Sequence, residues 1–303
     1  MQSLRSKILL SLVLNRHLFT LKLTKPLFDS SPEGIAKLRV QANRGSAMFG
    51  KPPQGVEIVL SPVNDMYAEY IIPENRSNEK VMLYFHGGMY ICGSPRGHRI
   101  HVAKFSTGSN VAAFVFDYRL APEHPFPAAV DDSIMAYSEL LNKGYRPANI
   151  RFAGDSAGGG LCLATLLAIK EKGLPLPSKA AVLSPWTDLS LTGGSYITNI
   201  KTCLSPHGSA QNCSRFYAGD NDPKNPLISP LYGDLSGLPP ISIYAGEKEI
   251  LRDDSIAFAE RAREAGVKVS LTVEKGMCHC YPAFSPLFPE AKRAMHEICE
   301  FLK

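Results

Sequence analysis

The sequence lacks the features of membrane-spanning and nucleic-acid-binding proteins. Its N-terminal apolar run, residues 8–14, is too short to cross a bilayer, is interrupted by Asn15-Arg16-His17 and precedes no small-residue cleavage site. We therefore expect no integral membrane segment and interpret the run as an amphipathic helix packed on the domain, with peripheral membrane contact as the alternative. The lysines and arginines are scattered, without a basic cluster that has interleaved aromatic residues, so we expect no nucleic-acid partner.

Cysteine is present without a disulfide framework. The seven cysteines are irregularly spaced, and an odd number without a leader peptide favours a reducing compartment, so we expect a cytoplasmic protein. Pairing of Cys203 with Cys213 in a loop is the less favoured alternative. The sequence also contains no internal repeat and no low-complexity tract.

The composition is that of an ordinary soluble protein, and strand-like runs alternate with helical patterns along the chain. The chain has 303 residues, of which 45% are hydrophobic and 20% charged, and a formal net charge of +5, which suits one large α/β domain or two small ones. Strand-like runs alternate with helical patterns, which predicts a mostly parallel sheet with helices on both faces, and two leading antiparallel strands make it mixed. The predicted strands are 56–60, 67–72, 81–85, 111–116, 150–153, 180–183, 241–245 and 267–273, and the predicted helices are about 97–107, 126–142, 157–172, 253–265 and 288–302.

One long segment, residues 186–234, breaks this alternation. It contains no clean strand, is rich in Gly, Ser, Asn and Pro, and is too long for a simple connection in a compact domain. Its aromatic and aliphatic residues, among them Tyr196, Ile197, Phe216 and Tyr217, argue against disorder. We expect short helices here that form a lid over the active site.

The most informative stretch is Gly154-Asp155-Ser156-Ala157-Gly158-Gly159, between an apolar strand and a Leu/Ala-rich helix. Small residues around Ser156 permit the sharp strand-to-helix turn that exposes a nucleophilic hydroxyl. Upstream, His86-Gly87-Gly88-Met89-Tyr90 follows another apolar strand, and its glycines let the backbone approach a substrate. We expect an oxyanion hole built from the loop residues Gly87, Gly88 and Met89 together with the amide of Ala157, and we expect His86 to be structural.

In these two motifs and three further sequence segments, the chain resembles the hormone-sensitive-lipase-like family of the α/β-hydrolases, the bacterial type IV esterases. The resemblance covers about residues 80–280. It implies the α/β-hydrolase fold, with a mostly parallel mixed eight-stranded sheet and a helical cap. The cap would comprise residues 1–45 and an insertion at 190–225, on a catalytic domain of residues 46–303. The further segments are Asp117-Tyr118-Arg119-Leu120-Ala121-Pro122-Glu123-His124-Pro125-Phe126-Pro127-Ala128-Ala129, Ser184-Pro185-Trp186-Thr187-Asp188-Leu189 and Pro226-Leu227-Ile228-Ser229-Pro230-Leu231.

The family pattern implies an acid after the strand at 241–245, and there the chain departs from the pattern. Glu249 stands where the family has aspartate, and its carboxylate can still hold an imidazole in the correct tautomer. The rival acid is Asp253, whose alternative role is to cap the following helix. Met89 is a second departure, because a third glycine is common at that position and the thioether can narrow the substrate pocket.

The candidate base is His279, in the loop after the last predicted strand. It has the chain order and the loop position expected for the general base to Ser156. The flanking cysteines, Cys278 and Cys280, suggest a metal, but adjacent ligands rarely close a tetrahedral site and no distant pair completes it, so we expect neither metal nor cofactor.

The motifs therefore predict a serine carboxylesterase that hydrolyses short- to medium-chain acyl esters through an acyl-enzyme intermediate. Lipase, amidase or deacetylase, and acyltransferase activities remain open, because the same triad serves all of them. A non-catalytic small-molecule receptor on this fold is a distant alternative, since it would require a broken triad. The expected partner is a small ester, and the resemblance implies a possible homodimer.

Overall fold

The computed structural model describes residues 2–15, 27–44 and 53–303. Parts of the predicted N-terminal cap segment, residues 1, 16–26 and 45, lie outside the described residues. Strands occupy Val56–Leu60 (β1), Ala68–Pro73 (β2), Ser77–Phe85 (β3), Val111–Phe116 (β4), Ile150–Asp155 (β5), Lys179–Leu183 (β6), Ile241–Gly246 (β7) and Val269–Glu274 (β8). Helices occupy Leu4–Leu14 (α1), Pro32–Arg44 (α2), Pro95–Ser109 (α3), Ala128–Asn142 (α4), Ala157–Glu171 (α5), Ser195–Thr198 (α6), Ser209–Ala218 (α7), Arg252–Glu264 (α8) and Pro289–Leu302 (α9).

The eight strands form one mixed sheet in the order β1-β2-β4-β3-β5-β6-β7-β8. The β1–β2 and β2–β4 pairs are antiparallel, whereas β4, β3, β5, β6, β7 and β8 run parallel. The predicted mixed, mostly parallel sheet is confirmed. All residues of β4, β5 and β7 are buried, as expected for parallel strands that are covered on both faces.

Two apolar cores pack against the two faces of this sheet. Helices α4, α5 and α8 contribute to the larger core, through residues such as Tyr137, Leu163 and Phe258. Helices α3 and α9, joined by Leu10 of α1, contribute to the second. Helix α5 is hydrophobic on every side and buried from Ala157 to Ile169, so it directly backs the strands that carry the motif residues.

Helix α2 makes polar contacts with the loops at the sheet's carboxyl edge. In α2, Arg39 donates to the Ile91 carbonyl at 2.8 Å and to the Ala121 carbonyl at 3.0 Å, and forms an ion pair with Glu123. The Phe28 amide donates to the His207 carbonyl, which joins the N-terminal segment to the 190–225 insertion.

Two sequence expectations concern thiols and membranes. All seven cysteines are free, so Cys203 and Cys213 do not pair. Across residues 2–15, 27–44 and 53–303, no helix is long and apolar enough to span a bilayer.

Candidate active site

Ser156 occupies a sharp corner between β5 and α5. Its backbone is in a strained region, with φ of 56° and ψ of −123°. The corner is held by hydrogen bonds from the Ser156 amide to the Leu183 carbonyl (2.8 Å) and from the Trp186 amide to the Ser156 carbonyl (3.0 Å). Gly158 is required for this packing, since a Cβ there would overlap the carbonyl oxygens of Phe85 and His86. The strained corner presents the serine at the carboxyl edge of the sheet.

The loop after β3 approaches the same corner in an unusual conformation. Gly88 and Met89 have positive φ values of 130° and 58°, and the Gly88 carbonyl accepts from the Cys92 amide at 2.9 Å. Among the described residues, the amides of Gly88 and Met89 have no hydrogen-bond acceptor. The Ala157 amide begins α5, where the first N–H groups lack helical partners. These three amides are therefore available to a ligand at Ser156.

Gly87 requires a correction to the predicted oxyanion hole. Its amide donates to Asp155 Oδ1 at 3.1 Å and is not available to a substrate oxygen. The sequence motif predicted Gly87 as a donor to the oxyanion because a sequence gives no information on where an individual amide points. The role that the structure supports for Gly87 is to anchor the loop to Asp155.

Asp155 contacts the loop after β3, and the sequence analysis assigned it no role. Its Oδ1 also accepts from the buried Tyr84 hydroxyl at 2.9 Å, and the Nε2 atoms of His98 and His101 lie 3.7 and 3.8 Å away. Burial opposes ionisation, but the two histidines hold the pKa of Asp155 well below its usual value. An ionised carboxylate thus braces the oxyanion loop from beneath. The only sequence signal was its place before Ser156.

His86 lies within the structural support of the loop. Its ring stacks on Tyr118 with centroids 4.1 Å apart, and Nδ1 lies 3.0 Å from the Gly87 carbonyl. Burial lowers the pKa of His86 to about 3, so the ring is neutral. A buried neutral imidazole turned toward the loop's backbone agrees with the structural role expected for it.

His279 and Glu249 come together in the structure. Nδ1 of His279 is hydrogen-bonded to Oε2 of Glu249, whose carboxylate is fully buried. Burial of the imidazole opposes protonation, but the adjacent carboxylate raises the pKa of His279 above its usual value. Asp253 lies elsewhere: it accepts from the Ser195 amide at 2.7 Å and pairs with Arg252 at 2.8 Å. The structure thus brings Glu249, and not Asp253, to the histidine.

Ser184 bridges the acid and the histidine loop, which the sequence reasoning did not anticipate. Its hydroxyl donates to Glu249 Oε1 at 2.7 Å and accepts from the Cys280 amide at 2.9 Å. The Gly246 amide donates to the same carboxylate oxygen at 2.6 Å. Ser184 is fully buried and has a positive φ of 47°, so its backbone is strained at the end of β6.

Ser156 and His279 open into one pocket of about 290 Å³. Nε2 of His279 lies 3.5 Å from Cys280 Sγ, and within the described chain no hydrogen bond joins it to Ser156 Oγ. Catalytic hydrogen bonds often form only when substrate binds, so this spacing is compatible with base catalysis. The pocket is lined by Ala42, Gly87, Gly88, Met89, Gly93, His98, Asp155, Ser156, Leu204, Ser205, Pro206, His279, Cys280 and Phe284.

A second depression is larger but lacks comparable chemistry. This polar groove of about 990 Å³ lies beside the amino ends of β3 and β5, where Arg76, Lys80 and Lys143 contribute to its wall. It contains none of the predicted site residues. Ligands of open α/β sheets bind at the carboxyl ends of the strands, so we assign the site to the smaller pocket.

Comparison with known proteins agrees with this geometry. A family model described as the alpha/beta hydrolase fold matches residues 82–283. The structure of an esterase from the bacterial hormone-sensitive lipase family superposes with a TM-score of 0.89 at 36% identity, covering 100% of this chain and 98% of that one. The chain belongs to the hormone-sensitive lipase family of α/β-hydrolases.

Relatives of this α/β-hydrolase carry related names. An acetyl-hydrolase of Streptomyces hygroscopicus is 37% identical over 91% of this chain and 90% of that protein. An esterase of Acinetobacter venetianus is 38% identical over 76% of this chain and 77% of that protein. The structure of EstE5 soaked with p-nitrophenyl butyrate gives a TM-score of 0.91 at 35% identity, over 99% of this chain and 98% of that one.

Proposed function

We propose that this α/β-hydrolase is a serine carboxylesterase that uses Ser156 as nucleophile, His279 as general base and Glu249 as the acid of the triad. The observation that carries the proposal is a strained serine sharing one pocket with a histidine whose other nitrogen is bound by a buried carboxylate. This arrangement of nucleophile, base and orienting acid activates hydroxyls in unrelated hydrolases.

The reaction follows from these positions in two steps. Ser156 Oγ attacks the ester carbonyl while Nε2 of His279 takes its proton, and Glu249 stabilises the imidazolium through Nδ1. The amides of Gly88, Met89 and Ala157 stabilise the oxyanion of the tetrahedral intermediate. The imidazolium then protonates the leaving alcohol, and water activated by His279 cleaves the acyl-enzyme to the free acid.

The size of the pocket supports short- to medium-chain acyl esters as substrates. A volume of about 290 Å³ lies just below the roughly 300–1,000 Å³ typical of small-ligand sites. Met89 and Leu204 line it, so apolar groups border the space next to the serine. The names of the relatives, an acetyl-hydrolase and an esterase soaked with a butyrate ester, agree with acyl groups of this size.

We also propose that residues 1–45 and 190–225 form a cap on a catalytic domain of residues 46–303. Ala42 of α2 and three insertion residues, Leu204, Ser205 and Pro206, line the pocket, so both segments border the space proposed for the substrate. The hydrogen bond between Phe28 and His207 joins the two segments to each other.

For assembly and location we propose a cytoplasmic homodimer. Within the part of the chain that the structure describes, the edge strand β8 pairs with β7 alone and leaves its outer backbone groups open for a second copy. Seven free cysteines, six of them buried, suit a reducing compartment. Light scattering coupled to size-exclusion chromatography measures the mass directly, and a value of one chain would exclude the dimer.

The functional proposal is tested with p-nitrophenyl esters from acetate to laurate. We expect kcat/KM to be highest among the short esters and at least tenfold lower for laurate, because each methylene that a pocket rejects costs about 10–200-fold. p-Nitroanilides of matched acyl length and added alcohol acceptors are run beside them. Faster cleavage of the amides, or transfer to the alcohol in place of hydrolysis, would contradict a carboxylesterase.

A further inference from the structure

A cluster of metal-binding side chains lies beneath the oxyanion loop and outside the triad. Within the described part of the chain, one group of histidine, cysteine and acidic residues brings its donor atoms within 4.8 Å of one another: His98, His101 and Asp155. The two histidines stand three residues apart on α3 and therefore share one face of that helix. Asp155 reaches them from the end of β5.

We propose that His98, His101 and Asp155 form a site for a single zinc ion that inhibits the esterase. This goes beyond the hydrolytic function, which uses none of these side chains as acid, base or nucleophile. Two imidazoles and a carboxylate are a ligand set that zinc accepts, with water in the fourth position of a tetrahedral site.

The distances are close to those that coordination needs. Zinc bound at about 2.0–2.2 Å to nitrogen and oxygen separates tetrahedral neighbours by roughly 3.4 Å. The Nε2 atoms of His98 and His101 already lie 3.7 and 3.8 Å from Asp155 Oδ1. Shifts of about 0.3–0.4 Å would bring each nitrogen to coordination distance from the carboxylate. The two imidazole nitrogens lie within 4.8 Å of each other and would close on the ion by rotation of their side chains.

The site has an entry path and a buried back wall. His98 and Asp155 line the active-site pocket, so an ion can reach them from the substrate side. The His101 side chain is only 3% exposed and lies behind them, with its ring in edge contact with Tyr84. The open coordination position therefore faces the pocket next to Ser156.

Inhibition follows from the other bonds of Asp155. The oxygen that approaches the histidines, Oδ1, also accepts from the Gly87 amide (3.1 Å) and from the Tyr84 hydroxyl (2.9 Å). A zinc ion on this oxygen draws it away from both donors. The loop that carries the Gly88 and Met89 amides then loses its anchor, and a metal-bound water occupies space beside the nucleophile.

Two further side chains with zinc affinity lie at the triad, and the experiment must separate them from the proposed site. His279 Nε2 and Cys280 Sγ lie 3.5 Å apart and also face the pocket. We would remove metal with EDTA, desalt, and titrate Zn²⁺ alone by calorimetry, with metal content measured after dialysis. The proteins are wild type, H101F, H98Q, H279A and the control H296A, which removes an exposed histidine on α9.

We expect one zinc per chain in wild type, H279A and H296A. In H101F and H98Q the Kd for zinc should rise by more than about 100-fold. Loss of a residue that only supports a ligand by hydrogen bonding would raise the Kd by about 10–100-fold. Zinc should lower p-nitrophenyl butyrate hydrolysis by wild type and H296A, and EDTA should restore it. Thermal melting without zinc identifies any variant that does not fold, and His98, which borders the pocket, provides a second test if H101F fails to fold.

Loss of zinc binding in H279A, with unchanged binding in H101F and H98Q, would move the site to His279 and Cys280 and overturn the proposal. Absence of stoichiometric binding to wild type would overturn it as well. Because the calorimetric measurement needs no turnover, these outcomes are independent of whether the chain hydrolyses esters. Stoichiometric binding without inhibition would refute the inhibitory role.

Discussion

Ser184 makes two hydrogen bonds that join the loop of the acid to the loop of the histidine. Because it donates to a buried carboxylate, S184A should lower kcat by about 10–100-fold, the equivalent of a charged hydrogen bond worth about 1.5–3 kcal/mol, with little change in KM. The matched control is S133A, which removes a buried hydroxyl on α4 that bonds only to the Ala129 carbonyl. Equal kcat values for both variants would show that Ser184 does not position the triad.

The contact between Glu249 and His279 determines how kcat/KM should fall at acid pH. The carboxylate raises the pKa of His279 above 6.5, and the imidazolium cannot act as base, so kcat/KM should fall as the pH drops through a midpoint above 6.5. In E249Q the charge is lost while burial remains, so the midpoint should move to lower pH. A midpoint that stays in place in E249Q would contradict this assignment.

Glu249 and Asp253 also differ in how much activity they support. In E249A, kcat should fall on the order of 10³–10⁴-fold, because a triad without its acid no longer holds the histidine in the catalytic tautomer. D253A should retain most activity, since Asp253 contacts Ser195 and Arg252 and not the histidine. Steady-state kinetics of the two variants at one pH compare them directly, and the reverse order would move the acid to Asp253.

At the same scale, the sequence anticipated the proximity of the proposed catalytic residues better than the contacts that position them. Glu249 and His279 follow strands whose ends meet at one edge of the sheet, so their proximity could be expected. Ser184 lies 65 positions from Glu249 and 96 from the amide of Cys280, and no local pattern encodes such contacts. The Gly87 amide was misassigned because its partner, Asp155, is 68 positions away.

At the scale of elements, the β5–α5 corner leaves no space for a side chain at position 158. G158A should destabilise the protein by at least about 3 kcal/mol, the upper part of the usual range for overpacking, because its Cβ would meet the backbone oxygens of Phe85 and His86. G194A is the control, since its Cβ would find only ordinary contact with Asp253 in a helical backbone. Urea unfolding compares the two; a G158A protein as stable as wild type would refute the close packing.

Element boundaries were predictable where the apolar pattern is continuous. β4 matches its predicted range of residues 111–116 because every residue in it is apolar and buried. β3 begins at Ser77, four residues before the predicted start, because Ser77 to Lys80 are polar and their pairing with β4 shifts register. The insertion has the expected short helices, although their placement beside the pocket depends on tertiary contacts that no periodicity reports.

For the whole molecule, the sheet brings together parts of the chain that are far apart in sequence. The pocket combines residues of α2, the loop after β3, the β5–α5 corner, the insertion and the loop after β8. The alternating pattern predicted the sheet that aligns these loops, and the motifs predicted the chemistry at its edge. The pocket volume arises from packing among these segments, and the histidine–aspartate cluster arises from packing between α3 and the end of β5. Both require the structure.

The central claim is that Ser156 forms the acyl-enzyme, and covalent labelling tests it most directly. Wild type and S156A would be treated with phenylmethylsulfonyl fluoride, and hydrolysis of p-nitrophenyl butyrate would be followed in parallel. Intact-protein mass spectrometry would count the attached groups, and peptide mapping would locate them. We predict one sulfonyl group on Ser156 of wild type, none on S156A, and a loss of about 10⁶-fold in kcat for the folded variant. Hydrolysis retained by S156A, or a label on another residue that accompanies loss of activity, would contradict the account.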